Sequence, residues 1–438
     1  MSEKTENELT DCLLGFRYWI DEPGNDAMWF WSENHALMFH TCQLLAGELF
    51  PDEVFTNSGL TGRQMQAKAK NMLYDWFVTF RKEGFTEWNS SPYLPIDTLG
   101  FGSLYAFAQD PAMRELGREG MDFAYYLLAV HSQQGIFASS SGRTYIKEQF
   151  GNWSNCPSGL SWIGYGYGVP GHAGKGITSY CLSDYEPPKE FAQWFSIPRG
   201  KEMICQTTQG NDGYVDLYTY KTADYMMTSA NDFHPGEPGH QENPFQLTFN
   251  AVAQLWVTHP GERVLFGAAR PSYWAGNGTL PKVNQYKAFA GLIYDIAPEH
   301  PVDFTHLYLP SMEFDRCEVE GKWAFVQLGS AYAAVYCSNG IRMQDFGSNK
   351  DRECIAEGRR CIWLVRAAQA DEFAAFDDFK AAMRGAALDA DAEGRRYRFV
   401  DPVYGELRCQ WGETLYVNDA PMQYSGFDNY GKLTMQEK

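Results

Sequence analysis

The chain has 438 residues and a formal net charge of −19 at pH 7; 44% of its residues are hydrophobic, 21% charged and 16% aromatic. Its length exceeds what one hydrophobic core accommodates, so we expect two domains. The negative charge argues against a nucleic-acid partner, because phosphate binding needs clustered Lys and Arg. It leaves an acidic polysaccharide open, since only the local potential of a cleft matters there.

The first third of the chain predicts helices that follow one another in pairs with short connections. Apolar residues recur at helical spacing in five segments: 9–20, 32–50, 63–83, 96–109 and 112–131. Pro and Gly after the first segment and Gly84 after the third are typical of helix ends. About three helix pairs therefore fit before the composition changes.

Gly, Ser, Trp and Tyr dominate residues 139–176, which predicts the connection between the domains. Beyond it, short segments rich in aromatic and β-branched residues alternate with Gly/Pro turns and predict strands: 213–220, 245–249, 253–258, 288–296 and 331–336. A helix over 372–384 and strands over 397–400 and 406–410 are expected near the end. We therefore predict an α+β multidomain fold, helical over residues 1–170 and an antiparallel β-sandwich over 171–438.

The N-terminal sequence and the cysteines bear on the compartment. The N-terminus is polar and acidic, without the apolar segment of a signal peptide. The ten cysteines are scattered singly, which favours reduced, mostly buried thiols. No apolar run reaches the roughly 18 residues of a membrane helix. We expect a cytoplasmic protein, or an exported one given without its signal, that has no membrane partner.

The helix that follows Ser32 directs polar side chains from its first turn. Ser32 predicts the N-cap, and Glu33 places a carboxylate at the positive helix end. His35 falls on an otherwise apolar face, with Asn34 beside it. One polar stripe is predicted along this helix: Glu33, His40, Gln43 and Gly47. Such a helix indicates either the floor of a site or an amphipathic helix with a core histidine.

Four segments of the chain resemble the heparinase II/III-like polysaccharide lyases, in which an α/α-toroid precedes a β-sandwich. The segments, whose order and spacing span most of the chain, are WSENH (31–35), EGFTEWNSSPY (83–93), PGHQENPFQ (238–246) and RPSYWAGNG (270–278). The resemblance implies a lyase that cleaves a uronic-acid-containing polysaccharide or oligosaccharide by β-elimination. A complete toroid has more helices than fit here, so it implies a partial, open toroid, a missing N-terminal helical portion, or a homo-oligomer.

β-Elimination beside a uronic acid needs a donor that neutralises the carboxylate, a base for the C5 proton and an acid for the leaving oxygen. The resemblance implies that Asn34 neutralises the carboxylate. His35 would be the base or a second carboxylate contact. Tyr93 would be the base or the acid on the leaving-group side; its alternative is a surface tyrosine of a Pro-flanked loop. Which of His35 and Tyr93 is the base stays open.

Four further residues complete the predicted substrate site. The resemblance implies that His240, in a Gly- and Pro-rich loop, reaches the site from the sandwich. Arg143 suits a carboxylate clamp, because its planar fork pairs bidentately with carboxylate, and Tyr145 adds a second phenol. For Arg143 a surface salt bridge is the alternative. Glu33 is a further candidate for substrate contact.

No cofactor is predicted. His234, Glu237, His240 and Glu242 lie close in sequence, and some relatives suggested by the resemblance carry a structural metal in the sandwich. A structural metal there is therefore an alternative. The four ligands of a closed zinc site cannot be named from this spacing, so no catalytic metal is expected.

Two other functions compete with the lyase. A glycoside hydrolase on the same scaffold would need two carboxylates flanking the bond, for which Glu33, Glu87 and Asp97 are candidates. A non-catalytic carbohydrate-binding or assembly protein predicts that the residues assigned to catalysis do not meet in one cleft. All three readings expect a carbohydrate partner, which for the lyase is an acidic polysaccharide or oligosaccharide.

Overall fold

The computed structural model describes residues 2–150, 155–170, 175–210 and 214–438. In these ranges it contains nine α-helices: α1 (Glu3–Gly15), α2 (Glu33–Leu49), α3 (Gly62–Glu83), α4 (Leu94–Phe107), α5 (Pro111–Val130), α6 (Ile146–Gln149), α7 (Ser158–Tyr165), α8 (Ile177–Cys181) and α9 (Phe376–Gly385). The helices before the first strand end with a short 3-10 turn, Lys189–Trp194. In the described part of the chain, no helix is both long and apolar enough to cross a lipid bilayer.

Twenty strands are found in the same ranges: β1 (Lys201–Gln209), β2 (Val215–Lys221), β3 (Met226–Asn231), β4 (Phe245–Thr248), β5 (Gln254–Thr258), β6 (Lys282–Tyr286), β7 (Phe289–Asp295), β8 (Phe304–Tyr308), β9 (Arg316–Glu320), β10 (Trp323–Leu328), β11 (Ala331–Cys337), β12 (Arg342–Met343), β13 (Glu353–Glu357), β14 (Arg360–Gln369), β15 (Leu388–Asp391), β16 (Arg396–Asp401), β17 (Gly405–Gln410), β18 (Tyr416–Val417), β19 (Ala420–Pro421) and β20 (Lys432–Glu437).

The strands form three antiparallel sheets. The largest has the order β12-β13-β8-β5-β4-β3-β2-β1-β20, the second β6-β7-β14-β11-β10-β9, and the third β15-β16-β17-β18-β19. Side chains from all three sheets share one apolar core, in which Leu247, Trp363 and Phe399 are each nearly or fully buried. Helices followed by antiparallel sheets confirm the predicted α+β class. That the helices form part of a toroid stays a prediction.

The long helices form the pairs that the sequence predicts, with α2 against α3 and α4 against α5. Helix α3 begins with a capping box between Thr61 and Gln64 and ends at Gly84, whose φ of 66° favours glycine. Helices α2 and α3 approach closely at Gly47 and Gly62. A Cβ on Gly62 would lie 2.0 Å from the carbonyl oxygen of Phe50, so only glycine fits this crossing.

The helical layer contacts the largest sheet at strands β1, β2 and β20. Lys221 is fully buried there, and its Nζ donates to the carbonyls of Ala129 and Trp194 at 2.9 and 2.7 Å. Burial lowers the pKa of Lys221 well below its ordinary value. Tyr126 of α5 donates to the carbonyl of Tyr430 from the opposite end of the chain. These contacts hold the helices against the sheet.

Three local predictions need correction. The first helix spans Glu3–Gly15 and not 9–20, because Ser2 caps it by accepting from the Thr5 N–H. The predicted connection contains helices α6 and α7, while residues 151–154 and 171–174 lie outside the described residues. The predicted polar stripe of α2 is wrong: His40 and Gln43 are buried, since this face packs inward. All ten cysteines are free thiols, of which five are buried.

Candidate functional site

A cleft of about 740 Å³ opens where the helical layer meets loops of the β region. Its walls come from the loop before α2, the first turn of α2, helix α3, the loop from α3 to α4, the segment before α6, and the loops β3–β4 and β5–β6. The residues that line the cleft are drawn from all of these: Trp29, Trp31, Ser32, Glu33, His35, Trp76, Thr79, Phe80, Thr86, Glu87, Tyr93, Arg143, Tyr145, His240 and Arg270. All the predicted site residues except Asn34 line it.

A pair of phenols stands in the cleft. Tyr93 precedes α4 and Tyr145 precedes α6, and their Oη atoms are 2.8 Å apart. The Arg143 guanidinium lies 5.5 Å from the centre of the Tyr93 ring and 5.7 Å from that of Tyr145, and its Nη2 donates to Tyr145 Oη at 3.4 Å. Arg270 lies 5.4 Å from the centre of the Tyr145 ring. Two cations therefore flank Tyr145.

This arrangement separates the acidities of the two phenols. Burial raises the pKa of Tyr93 to about 12, and the hydrogen bond with Tyr145 adds to the rise. Burial alone would also raise the pKa of Tyr145. The hydrogen bonds from Tyr93 and Arg143 and the charges of Arg143 and Arg270 outweigh burial, so the pKa of Tyr145 falls below its ordinary value. Tyr145 is thus the phenol that ionises first.

The first turn of α2 presents His35 to the cleft. Ser32 Oγ donates to Asn34 Oδ1 and lies 3.0 Å from His35 Nδ1. Because the Ser32 hydroxyl proton is donated to Asn34, the hydrogen bond between Ser32 and His35 runs from His35 Nδ1–H to Ser32 Oγ. His35 Nε2 is then an acceptor. Burial lowers the pKa of His35, which favours this neutral form.

Asn34 itself does not line the cleft. Its side chain is buried, on the same face of α2 as Leu37, Thr41 and Leu44, which are buried as well. Its hydrogen bond to Ser32 positions the residue that in turn contacts His35. The sequence pattern around Asn34 therefore marks the start of the helix, whereas direct contact of Asn34 with a substrate carboxylate stays a prediction.

His240 reaches the cleft from the loop between β3 and β4, as an exposed side chain. Its backbone N–H donates to Glu242 Oε2 at 2.5 Å, which fixes the loop. Of the other residues considered as metal ligands, His234 Nδ1 lies 3.4 Å from Glu237 Oε2. Throughout the described ranges, no three His, Cys, Asp or Glu side chains are grouped so that they could hold a metal ion.

Two carboxyl groups, those of Glu33 and Glu87, line the cleft, and a third lies behind them. Glu33 accepts from the N–H groups of Thr86 at 3.1 Å and Glu87 at 3.4 Å, yet burial raises its pKa to about 8, and the charges of Glu87 and Glu83 add to the rise. Burial also raises the pKa of Glu87, which lies 3.7 Å from Arg143. Asp97 is buried behind them, and burial together with Glu33 and Glu87 raises its pKa well above the ordinary value.

An aromatic rim and one cation of the cleft were not predicted from the sequence. Trp29 and Trp31 are 52% and 67% exposed at the mouth of the cleft, with ring centres 5.2 Å apart. Trp29 has a φ of 47°, which is costly for a bulky residue and is typical of functional sites. The run MWFW before Ser32 was the available signal. Arg270 lay inside the fourth segment of the resemblance, but nothing in the sequence singled it out.

No protein-family model matches the chain, and no curated protein matches it. Among solved structures, heparinase III matches with a TM-score of 0.38 and 11% sequence identity. The match covers 92% of this chain and 66% of that chain, so this chain spans just under two thirds of the length of that protein. A likeness at this level is a distant structural relationship and says nothing of activity.

Proposed function

We propose that the chain is a lyase that cleaves a uronic-acid-containing polysaccharide or oligosaccharide by β-elimination. The observation that carries the proposal is the hydrogen-bonded pair of Tyr93 and Tyr145, flanked by Arg143 and Arg270 in an open cleft. β-Elimination needs a base and an acid close together and a cation for the uronate carboxylate. These side chains supply all three.

The carboxylate is bound by Arg270 in this proposal. In the described part of the chain Arg270 has no ion pair and extends into the cleft, whereas Arg143 is already 3.7 Å from Glu87. Pairing a guanidinium with the uronate stabilises the negative charge that develops when the C5 proton leaves. Arg270 thus has the role that the resemblance implied for Asn34.

The two phenols then move the protons. Ionised Tyr145 takes the C5 proton, the C5–H electron pair forms the C4–C5 double bond, and the C4–O bond breaks. The leaving oxygen takes a proton from Tyr93, whose higher pKa keeps it protonated until that moment. Proton transfer across the 2.8 Å hydrogen bond restores ionised Tyr145 and neutral Tyr93. Because the Oη atoms are adjacent, both protons move on one face of the sugar, as in a syn elimination.

The remaining side chains of the cleft bind the glycan. Trp29 and Trp31 offer exposed rings on which sugar rings stack. His35 Nε2 accepts a hydrogen bond from a sugar hydroxyl, and His240 contacts the substrate from the side of the β region. In these assignments His35 and His240 bind the substrate, and Tyr145 is the base that takes the C5 proton.

A glycoside hydrolase is the second candidate, and one observation favours it. Glu33 and Glu87 both line the cleft, and a carboxyl with a pKa of about 8, like that of Glu33, is protonated at neutral pH as a general acid must be. Against it, both Glu33 oxygens accept backbone N–H groups from the loop after α3, and Asp97 lies behind the cleft surface.

The test is incubation with a panel of uronic-acid polysaccharides, unsulfated and sulfated, while near-ultraviolet absorbance and new reducing ends are followed together. Elimination gives both signals, because each cleavage leaves a conjugated C4–C5 double bond. Hydrolysis gives reducing ends without absorbance and would transfer the assignment to Glu33 and Glu87. Absence of both signals across the panel would contradict both enzymatic candidates.

A further inference from the structure

A second depression lies on the other side of the phenol pair. Its volume is about 710 Å³, and it shares Tyr93, Tyr145 and Arg270 with the cleft. Its other walls come from helix α6, from Pro92 and Ile96, from Lys175 and Gln241, and from the loop between Phe266 and Ala275. The phenol pair is therefore not at the blind end of a pocket, because a groove continues past it in both directions.

The second depression is rich in cationic side chains. Lys147, Lys175 and Arg270 line it, together with one carboxyl group, that of Glu148. The Lys147 side chain is 77% exposed although it lies 3.2 Å from the buried Glu148. Lys175 is exposed and makes no ion pair within the described ranges.

The far wall of the second depression also suits a long ligand. Phe266 is 72% exposed on this wall, like the tryptophans at the opposite end of the groove. Phe266, Ile146 and Lys147 also border a third depression of about 450 Å³. Open apolar rims at both ends of a continuous groove fit an extended chain that enters and leaves, and not a chain end held in a closed pocket.

We propose that the glycan crosses the phenol pair and continues into the second depression, where Lys147 and Lys175 bind an acidic group of a sugar beyond the cleaved bond. The inference rests on the proposed function and adds to it a charged subsite and internal cleavage of the chain. It also explains how a protein of charge −19 accepts an acidic polymer, since the three cationic side chains that line this depression outnumber its one carboxyl group.

The test compares Lys147→Gln/Lys175→Gln with Lys147→Arg/Lys175→Arg, which keeps both charges, and with Lys432→Gln, an exposed lysine of β20 outside the depression. Substrates are tetra-, hexa- and octasaccharides of hyaluronan and of heparin. We expect the double Gln variant to raise KM about threefold to tenfold on the longer substrates with kcat unchanged, and to weaken the salt dependence. The Arg and Lys432 variants should match wild type.

A binding measurement keeps the outcome independent of turnover. Titration calorimetry of the same oligosaccharides into Tyr145→Phe, with and without the two Gln substitutions, should show affinity that rises with length and falls when the lysines are neutralised. An affinity that changes neither with oligosaccharide length nor with the two Gln substitutions would overturn the inference, even if unsaturated products form. So would release of one small product from the first time point, because that indicates attack at chain ends. Length-dependent binding without any cleavage would support the subsite while contradicting the lyase.

Discussion

Two clusters of hydrogen-bonded titratable side chains, one in the sandwich and one in the cleft, differ in what surrounds them. In the sandwich, Thr258 Oγ1 lies 2.7 Å from His306 Nε2, and His306 Nδ1 lies 2.6 Å from Glu353 Oε1. These three residues, called the relay below, have the hydroxyl–imidazole–carboxylate order of a hydrolase triad. All three side chains are buried, and Tyr273 and Asn349 donate to the same carboxylate.

The cleft cluster has the opposite properties. Tyr93 and Tyr145 face open space, Arg143 Nε has no hydrogen-bond partner in the described ranges, and Arg270 has no ion pair there. Neither Thr258 nor His306 lines any of the three depressions described above. Triad geometry therefore does not by itself define a catalytic site. Side chains that are buried and whose hydrogen bonds are all made stabilise the fold. Exposed side chains that lack hydrogen-bond or ion-pair partners are free to bind a substrate and to react.

The largest expected effect is on activity, from Tyr145→Phe. Loss of the hydroxyl removes the base, and a positioned base contributes about a hundredfold to ten-thousandfold to the rate. We therefore expect kcat to fall by that factor while the melting temperature changes little, because the phenol is partly exposed. Initial rates of absorbance increase and differential scanning calorimetry measure the two quantities. A kcat within twofold of wild type would remove Tyr145 from the mechanism.

The next effect is on stability, from Glu353→Ala. It leaves His306, Tyr273 and Asn349 without their buried acceptor, which costs about 3–5 kcal/mol of unfolding free energy. Glu357→Ala on the same strand is the control, because Glu357 is exposed and should change stability by less than about 0.5 kcal/mol. Urea unfolding measures both. Equal stabilities of the two variants would mean that the relay does not hold the sandwich together.

Trp31→Ala should affect binding alone. Trp31 is 67% exposed, so its loss removes a stacking surface without opening a cavity. A stacking contact of about 1 kcal/mol corresponds to a roughly fivefold rise in KM with stability unchanged. Phe346→Ala, an equally exposed aromatic outside the cleft, should leave KM as it is. If both variants behave alike, the rim is not a sugar platform.

The last effect is in the pH dependence of stability. Folded Glu33 keeps its proton up to about pH 8, whereas the ordinary pKa is 4.5, so between these values the folded state binds more protons and stability falls as pH rises. Glu33→Gln should flatten this slope, and the exposed Glu53→Gln should not. The relay has the opposite sign: hydrogen bonds lower the pKa of Glu353, so its contribution is lost on acidification. Chemical unfolding at several pH values measures both slopes.

Much of the fold could be predicted from the sequence, because it depends on local periodicity. The segments of α3, α4 and α5 and strands such as β5 and β11 follow from apolar spacing within one element. The buried face of α2 could not be predicted. His40 and Gln43 belong to a polar pattern, and only packing against neighbouring helices turns that face inward. Tertiary contacts there outweighed the amphipathic pattern.

Site residues that belong to a sequence motif could be predicted. Those that depend on contacts between distant segments of the chain could not. Tyr93 and Tyr145 were candidates, but the 2.8 Å contact between them, 52 residues apart, follows only from the fold. Arg270 stands out because of its position over the Tyr145 ring. The relay could not be predicted from the sequence either, because Thr258 and Glu353 lie 48 and 47 residues from His306.

The most direct test measures near-ultraviolet absorbance for wild type, Tyr145→Phe and Thr258→Val side by side on the acidic polysaccharide that gives the strongest signal. Circular dichroism establishes that all three are folded. If the cleft is the active site, wild type and Thr258→Val generate the unsaturated product at similar rates and Tyr145→Phe does not. Product from Tyr145→Phe, together with its loss in folded Thr258→Val, would contradict this account and place the chemistry in the buried relay.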